Sequence, residues 1–130
     1  MKLTEYRKLI DSSVWLDYFL LKTPVVGSII QNETFRFFSS AISLHEVKKK
    51  LILLKKTPEQ ILNSVNFIKE KSFVVQVTEE ICEKSAEDSA KLGLSMADSI
   101  IYRSALNYNA VLVTLDSHFS GRKGAVVLNA

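Results

Sequence analysis

Of the 14 acidic residues in this 130-residue chain only five are aspartates: Asp11, Asp17, Asp88, Asp98 and Asp116. Three of them stand where chemistry is plausible on residue type and setting. Asp11 follows the run Arg-Lys-Leu-Ile and opens Asp-Ser-Ser, Asp98 closes Ser-Met-Ala-Asp, and Asp116 follows Val-Leu-Val-Thr-Leu. Glu46, in Ser-Leu-His-Glu, is the fourth candidate. Four carboxylates brought together raise one another's pKa and cannot all stay ionised without a cation. A hard divalent ion, Mg²⁺ or Mn²⁺, suits carboxylate and water oxygens, and Mg²⁺ keeps several waters while binding phosphates. Such an ion lowers the pKa of a bound water and orients it toward a phosphodiester. The chain offers only His45 and His118 as imidazoles and Cys82 as a thiol, so a tetrahedral zinc site is not expected.

Whether these acids meet depends on the elements that carry them. Arg7 to Ile10 reads as a strand, and the apolar spacing of Val14, Leu16, Phe19, Leu20 and Leu21 as the helix after it. Pro24 breaks that helix, and Val25 to Gln31 makes a short second one. Phe35 to Ala41 reads as a strand, followed by a helix striped by Leu44, Val47, Leu51 and Leu54. Pro58 suits the first position of the next helix, lined by Ile61, Leu62, Val65, Phe67 and Ile68. Phe73 to Val77 is a third strand; Thr78 caps a helix from Glu79 to Leu92, which Gly93 stops. Ser95 to Asn107 is a further helix, and Ala110 to Thr114 and Ala125 to Leu128 are the last strands. Strands alternating with helices predict an α/β domain with a mostly parallel sheet. Its strand C-termini share one edge, where ligands bind at the topological switch point. Asp11, Glu46 and Asp116 lie just beyond strand ends. Asp98 lies in the first turn of a helix running antiparallel to the Ala110 strand, and so begins near the same edge.

Plainer readings compete residue by residue. Ser43 to Glu46 and Ser95 to Asp98 both fit a capping box, and Asp11 fits a helix cap. Neither device accounts for Asp116 or for convergence on one edge. Lys48, Lys49, Lys50, Lys55 and Lys56, with no acid among them, form either a solvated helix face or a set of phosphate contacts beside the acids. Leu51 to Leu54 is apolar around the whole helix; with Phe67 and Ile68 it suggests a groove for a partner helix or for dimerisation, against crowded core packing. His118 reads as a polar residue at a helix start, Cys82 as a small core residue, Asp17 and Asp88 as surface acids, and Trp15 and Tyr18 as packing residues.

Composition bounds the rest. The 17 Lys and Arg against 14 acids give a net charge of +3, and 47% hydrophobic residues supply the core of one domain over residues 1–130. A lone cysteine excludes an internal disulfide. No apolar run approaches a membrane span and no signal peptide is evident, so a cytoplasmic protein is expected.

The segments LIDSSVWLDYF at 9–19, ISLHEV at 42–47, LSMADSIIYRSAL at 94–106 and AVLVTLDSHF at 110–119, in this order and spacing, resemble the PIN domain, in particular the VapC type of toxin ribonuclease. The resemblance covers essentially the whole chain. It implies a three-layer α/β/α domain with a five-stranded parallel sheet, and a Mg²⁺- or Mn²⁺-dependent endoribonuclease acting on RNA. Asp11, Glu46, Asp98 and Asp116 would be its catalytic, metal-holding acids, with the hydroxyls of Ser13 and Thr114 supporting them. It further implies a homodimer and a small antitoxin partner, placed here near the Lys48 to Ile68 helices. Many members carry a further acid two residues after the last aspartate, where this chain has His118.

Other functions fit less well. A receiver-type phosphorylation domain needs paired acids at the first strand and a lysine after the last, and a haloacid-dehalogenase-type phosphatase needs Asp-x-Asp where this chain has Asp11-Ser12-Ser13. The remaining rival is a non-catalytic PIN-like RNA-binding or scaffold domain.

Overall fold

The alternation of apolar residues along the short strands determines how this chain layers. In the structure, a computed structural model describing residues 6–129, β1 (Arg7–Ile10), β2 (Arg36–Ser40), β3 (Phe73–Val75), β4 (Val111–Thr114) and β5 (Ala125–Val127) form one sheet in the order β3-β2-β1-β4-β5. Every neighbouring pair is parallel. Successive strand residues point to opposite faces. Leu9, Phe38 and Leu112 therefore enter one core and Ile10, Phe37 and Val113 the other. Both faces are covered, as a parallel sheet requires.

Helices α1 (Ser12–Leu20), α2 (Pro24–Ile30), α3 (Ala41–Leu53) and α4 (Pro58–Lys71) cover one face through Val14, Trp15, Val26, Ile30, Val47 and Ile68. Helices α5 (Glu79–Leu92) and α6 (Met96–Asn107) cover the other through Ile81, Ile100, Ile101 and Ala105. The expected three-layer α/β/α arrangement is the one observed. The chain builds outward from β1 to β2 and β3, then crosses back to place β4 on the other flank of β1. The switch point thus lies between the C-terminal ends of β1 and β4.

Element boundaries follow local chemistry. Pro58 opens α4 behind Thr57, whose hydroxyl accepts from the Gln60 amide while the Gln60 side chain returns to the Thr57 amide. Gly93 ends α5 at φ +73°, a conformation that favours glycine. The third strand stops at Val75 and the last at Val127, short of the expected Val77 and Leu128. Residues 1–5 and 130, part of the expected 1–130 domain, lie outside the described residues.

Three expectations need correction. Asp17 is not a surface acid: it is 4% exposed and accepts from the Thr23 amide at 3.0 Å and the Thr23 hydroxyl at 2.7 Å, pinning the turn between α1 and α2. Asp88 is likewise engaged, accepting two 2.8 Å hydrogen bonds from Arg103 and so tying α5 to α6. Cys82 lies on the exposed face of α5, since Ile81 and Ser85 take the inward positions. Trp15 and Tyr18 do pack: the Trp15 indole donates to Ser39 at 2.9 Å, and Tyr18 stacks on Phe67.

No single described helix is long and apolar enough to cross a membrane. Helices α1 and α2 together have the length and composition, but they meet at a 111° bend and bury Val14, Trp15, Val26 and Ile30 in the core.

Asp17→Ala strands the Thr23 amide and hydroxyl, so it is expected to cost about 1–3 kcal/mol, with Asp17→Asn, which keeps an acceptor, costing less. Urea unfolding midpoints check this, and equal midpoints for wild type and Asp17→Ala would contradict it.

Candidate active site at the sheet edge

Asp11 is placed by the end of β1. Its backbone amide donates to the Val113 carbonyl at 3.0 Å, so the residue remains stitched to β4 as the chain turns into α1. It occupies the N-cap position of α1, yet its side chain makes no capping hydrogen bond. Its Oδ2 instead accepts from the Thr114 hydroxyl at 2.7 Å and the Ser13 hydroxyl at 2.9 Å. Each hydroxyl is itself oriented by a backbone amide: Thr114 Oγ1 accepts from Asp116 and Ser13 Oγ from Leu115, both at 3.0 Å. With amides occupying their acceptor sides, both hydroxyls turn their protons toward Asp11. The carboxylate is thereby held although only 5% exposed.

Glu46 reaches the same edge from α3, where the expected capping box fails. Strand β2 runs into α3 without a loop, so Ser40, still extended, is the N-cap and accepts from the Ile42 amide. Ser43 is already helical and buried, and its hydroxyl finds no hydrogen-bond partner among the described residues. Glu46, one turn further in, accepts a 2.6 Å hydrogen bond from Ser12. Ser12 was missed in the sequence because neither capping nor periodicity marks it; its position beside Asp11 was the available clue.

Asp98 lies in the first turn of α6, where the Ser95 hydroxyl caps its amide at 3.2 Å. Asp116 caps the short 3₁₀ turn Ser117–Phe119, accepting from the His118 amide at 2.9 Å. His118 also brings Nδ1 to 3.1 Å from Asp116 Oδ1. Asp98, Asp116 and His118 each offer a ligand atom, all within 4.8 Å of one another. His118 therefore does more than begin a turn: it stands at the acids.

Among the described residues the ligand atoms grouped within 4.8 Å are those of Asp98, Asp116 and His118, while Asp11 and Glu46 reach Asp98 through their charges. Burial pushes the Asp11 carboxyl above its ordinary value, opposed by the hydrogen bonds from the Thr114 and Ser13 hydroxyls and the Ser12 backbone amide, with the Asp116 charge adding to the rise. Asp98 is raised by burial first, then by the charges of Asp11 and Asp116, with Ser95 opposing and Glu46 adding. All three other acids thus act on Asp98. Oxygen donors in excess of local positive charge are what a hard divalent cation requires, so the residues present fit Mg²⁺ or Mn²⁺. A cavity of about 700 Å³ lies elsewhere, between α1, α2 and α4, lined by Tyr18, Phe19, Pro24, Leu51 and Phe67 and by none of the acids.

An Asp whose folded pKa is raised contributes stability that is full below the unfolded value, about 3.9, and lost as pH rises through the folded value. Asp98→Asn removes the charge while keeping the shape and the Ser95 cap. It is expected to raise the melting temperature of the metal-free protein at pH 7 by a few degrees, and the gain should vanish below about pH 4. Thermal unfolding at both pH values checks this; no gain at pH 7 would contradict it.

Comparison with known proteins accords with this geometry. The PIN domain family model matches residues 8–124. A toxin–antitoxin complex from Klebsiella pneumoniae contains a chain with a TM-score of 0.79 at 19% identity, covering 92% of this chain and 96% of that one. VapC20 from Mycobacterium tuberculosis, described as a sarcin–ricin loop cleaving toxin, has a TM-score of 0.69 at 12% identity, covering 95% and 90%. VapBC2 from Rickettsia felis, bound to a promoter DNA fragment, has a TM-score of 0.71 at 16% identity, covering 95% and 98%. No curated sequence relative matches the chain. At these identities the solved structures speak for the fold, whereas the family match spans most of the sequence and takes in the strand ends and helix turn that carry the acids: the chain belongs to the PIN domain family.

Proposed function

We propose that this protein is a Mg²⁺- or Mn²⁺-dependent endoribonuclease, the toxin of a type II toxin–antitoxin pair. The observation that carries this reading is the convergence of four acids from β1, α3, α6 and the β4 end, with Asp11 buried and oriented by Ser13 and Thr114. Asp11, Glu46, Asp98 and Asp116 would hold the ion. When bound, it would supply an activated water and neutralise charge on the scissile phosphodiester. The chain's own residues do the positioning. Thr114 and Ser13 present the Asp11 carboxylate, Ser12 fixes Glu46, and the amide of His118 steers Asp116. Preorganised ligands spare the reaction the cost of assembling them.

RNA as substrate is supported by what the similar folds are described as doing, VapC20 being a loop-cleaving toxin. Lys48, Lys49 and Lys50, all exposed on the helix that carries Glu46, would offset the repulsion between the acids and a polyanion. The antitoxin reading draws on the similar chains found in toxin–antitoxin complexes. On this chain, Ile52, Leu53, Leu54 and Leu62 are exposed on α3, its C-terminal turn and α4, an apolar surface for such a partner. A homodimer belongs to the same proposal. The rival, a PIN-like domain that binds RNA or acts as a scaffold without cutting, is decided by the same assay.

Purified free of any antitoxin, the protein is expected to cleave RNA with Mg²⁺ or Mn²⁺ and not with EDTA. Asp98→Asn should lose a direct ligand, costing more than the roughly 10–100-fold typical of an outer-shell partner, while its circular dichroism stays unchanged. Metal-dependent cleavage retained by Asp98→Asn would overturn the assignment, and no product from wild type would favour the scaffold. Replacing Lys48, Lys49 and Lys50 by Gln should reduce the slope of log K against log salt for single-stranded RNA by about 0.7 per lost phosphate contact. An unchanged slope would return these lysines to a solvated face.

A further inference from the structure

The constellation carries one side chain that the four-acid reading does not use. His118 stands with Asp98 and Asp116 as the group of ligand atoms within 4.8 Å of one another. Around one octahedral ion with bonds of about 2.1 Å, adjacent ligand atoms are about 3 Å apart and opposite ones about 4.2 Å. The 3.1 Å separation of His118 Nδ1 from Asp116 Oδ1 matches an adjacent pair, and the group as a whole, within 4.8 Å, would have to close by no more than about 0.6 Å to meet the opposite-pair distance.

The fold holds this arrangement in place. Asp98 and Tyr102 are four residues apart on α6 and so share a face. Tyr102 stacks on Phe119, which is fully buried, and its hydroxyl donates to the Lys123 carbonyl at 2.7 Å. The loop bearing Asp116 and His118 is therefore anchored immediately after His118, through Phe119 and Lys123, to the helix that carries Asp98. Just ahead of the Phe119 anchor the His118 amide is bound to Asp116, and its imidazole, 80% exposed, keeps Nδ1 beside the same carboxylate.

We infer that the His118 imidazole is a ligand of the metal ion, giving a mixed carboxylate–imidazole site that prefers Mn²⁺ to Mg²⁺. This rests on the proposal that the acids hold a divalent ion. Imidazole is a softer donor than carboxylate or water, and Mg²⁺ binds almost exclusively through oxygen, whereas first-row transition ions accept nitrogen readily.

The test is metal binding, read apart from RNA cleavage. Titration of the full chain with Mn²⁺, followed by loss of the free-ion electron paramagnetic resonance signal and by Mg²⁺ competition, gives the Mn²⁺-to-Mg²⁺ affinity ratio. Pulsed measurements on the bound ion then report nitrogen coordination. Wild type should show imidazole nitrogen coupling that is lost in His118→Ala and kept in His45→Ala, and His118→Ala and His118→Asp should lower the affinity ratio about tenfold or more. Binding of Mn²⁺ by wild type without nitrogen coupling, or an affinity ratio unchanged in His118→Ala, overturns the inference and leaves the four-acid site standing. Failure of wild type to bind either ion overturns both.

Discussion

The site depends on one buried carboxylate held across the seam between β1 and β4. Thr114, at the end of β4, and Ser13, in the first turn of α1, both donate to Asp11 Oδ2, and the same two hydroxyls accept the amides of Asp116 and Leu115. This network couples the end of one strand to the exit of its neighbour. It holds in place an acid whose pKa burial raises, and it joins that acid to the chain that leads to Asp116. A strand end, a helix start and a loop are fixed by the same few atoms.

From that seam the rest of the edge follows. The chain winds one way from β1 to β3 and the other way through β4 and β5, and such a switch point is where open parallel sheets hold ligands beyond their strand ends. Helix α3 enters from β2 without a loop and brings Glu46 within reach of Ser12; α6 brings Asp98 across the other face. Burial first, and the neighbouring acids after it, raise the Asp11 and Asp98 carboxyls, so their charged forms are disfavoured in the protein alone. Such a cost is common where a site is arranged for a ligand rather than for stability. The formal charge of +3 thus combines an acidic edge with basic surface, including the lysines of α3.

The fold was readable because each strand and helix carried its own period and its own stops. Pro58, Gly93, Thr78 and Ser95 act where local rules place them. Boundaries failed where tertiary pairing overrides such rules: Ser43 fits a cap but lies inside a helix, because β2 delivers Ser40 in an extended conformation immediately before it. Asp17 and Asp88 looked like surface charge because their partners, Thr23 and Arg103, are assigned by packing between elements and by no sequence pattern.

The amino-acid sequence by itself determined the α/β layering, the strand ends that lead to Asp11 and Asp116, and the helices that carry Glu46 and Asp98, since periodicity and caps are local properties. Only the tertiary structure decided that Thr114 and Ser13 would share one oxygen of Asp11, that Ser12 would hold Glu46, and that His118 would stand beside Asp116 and Asp98. Those are contacts between residues as much as 103 positions apart. They exist because the sheet order brings β4 against β1, and strand order is set by the packing of the whole chain rather than by any segment of it.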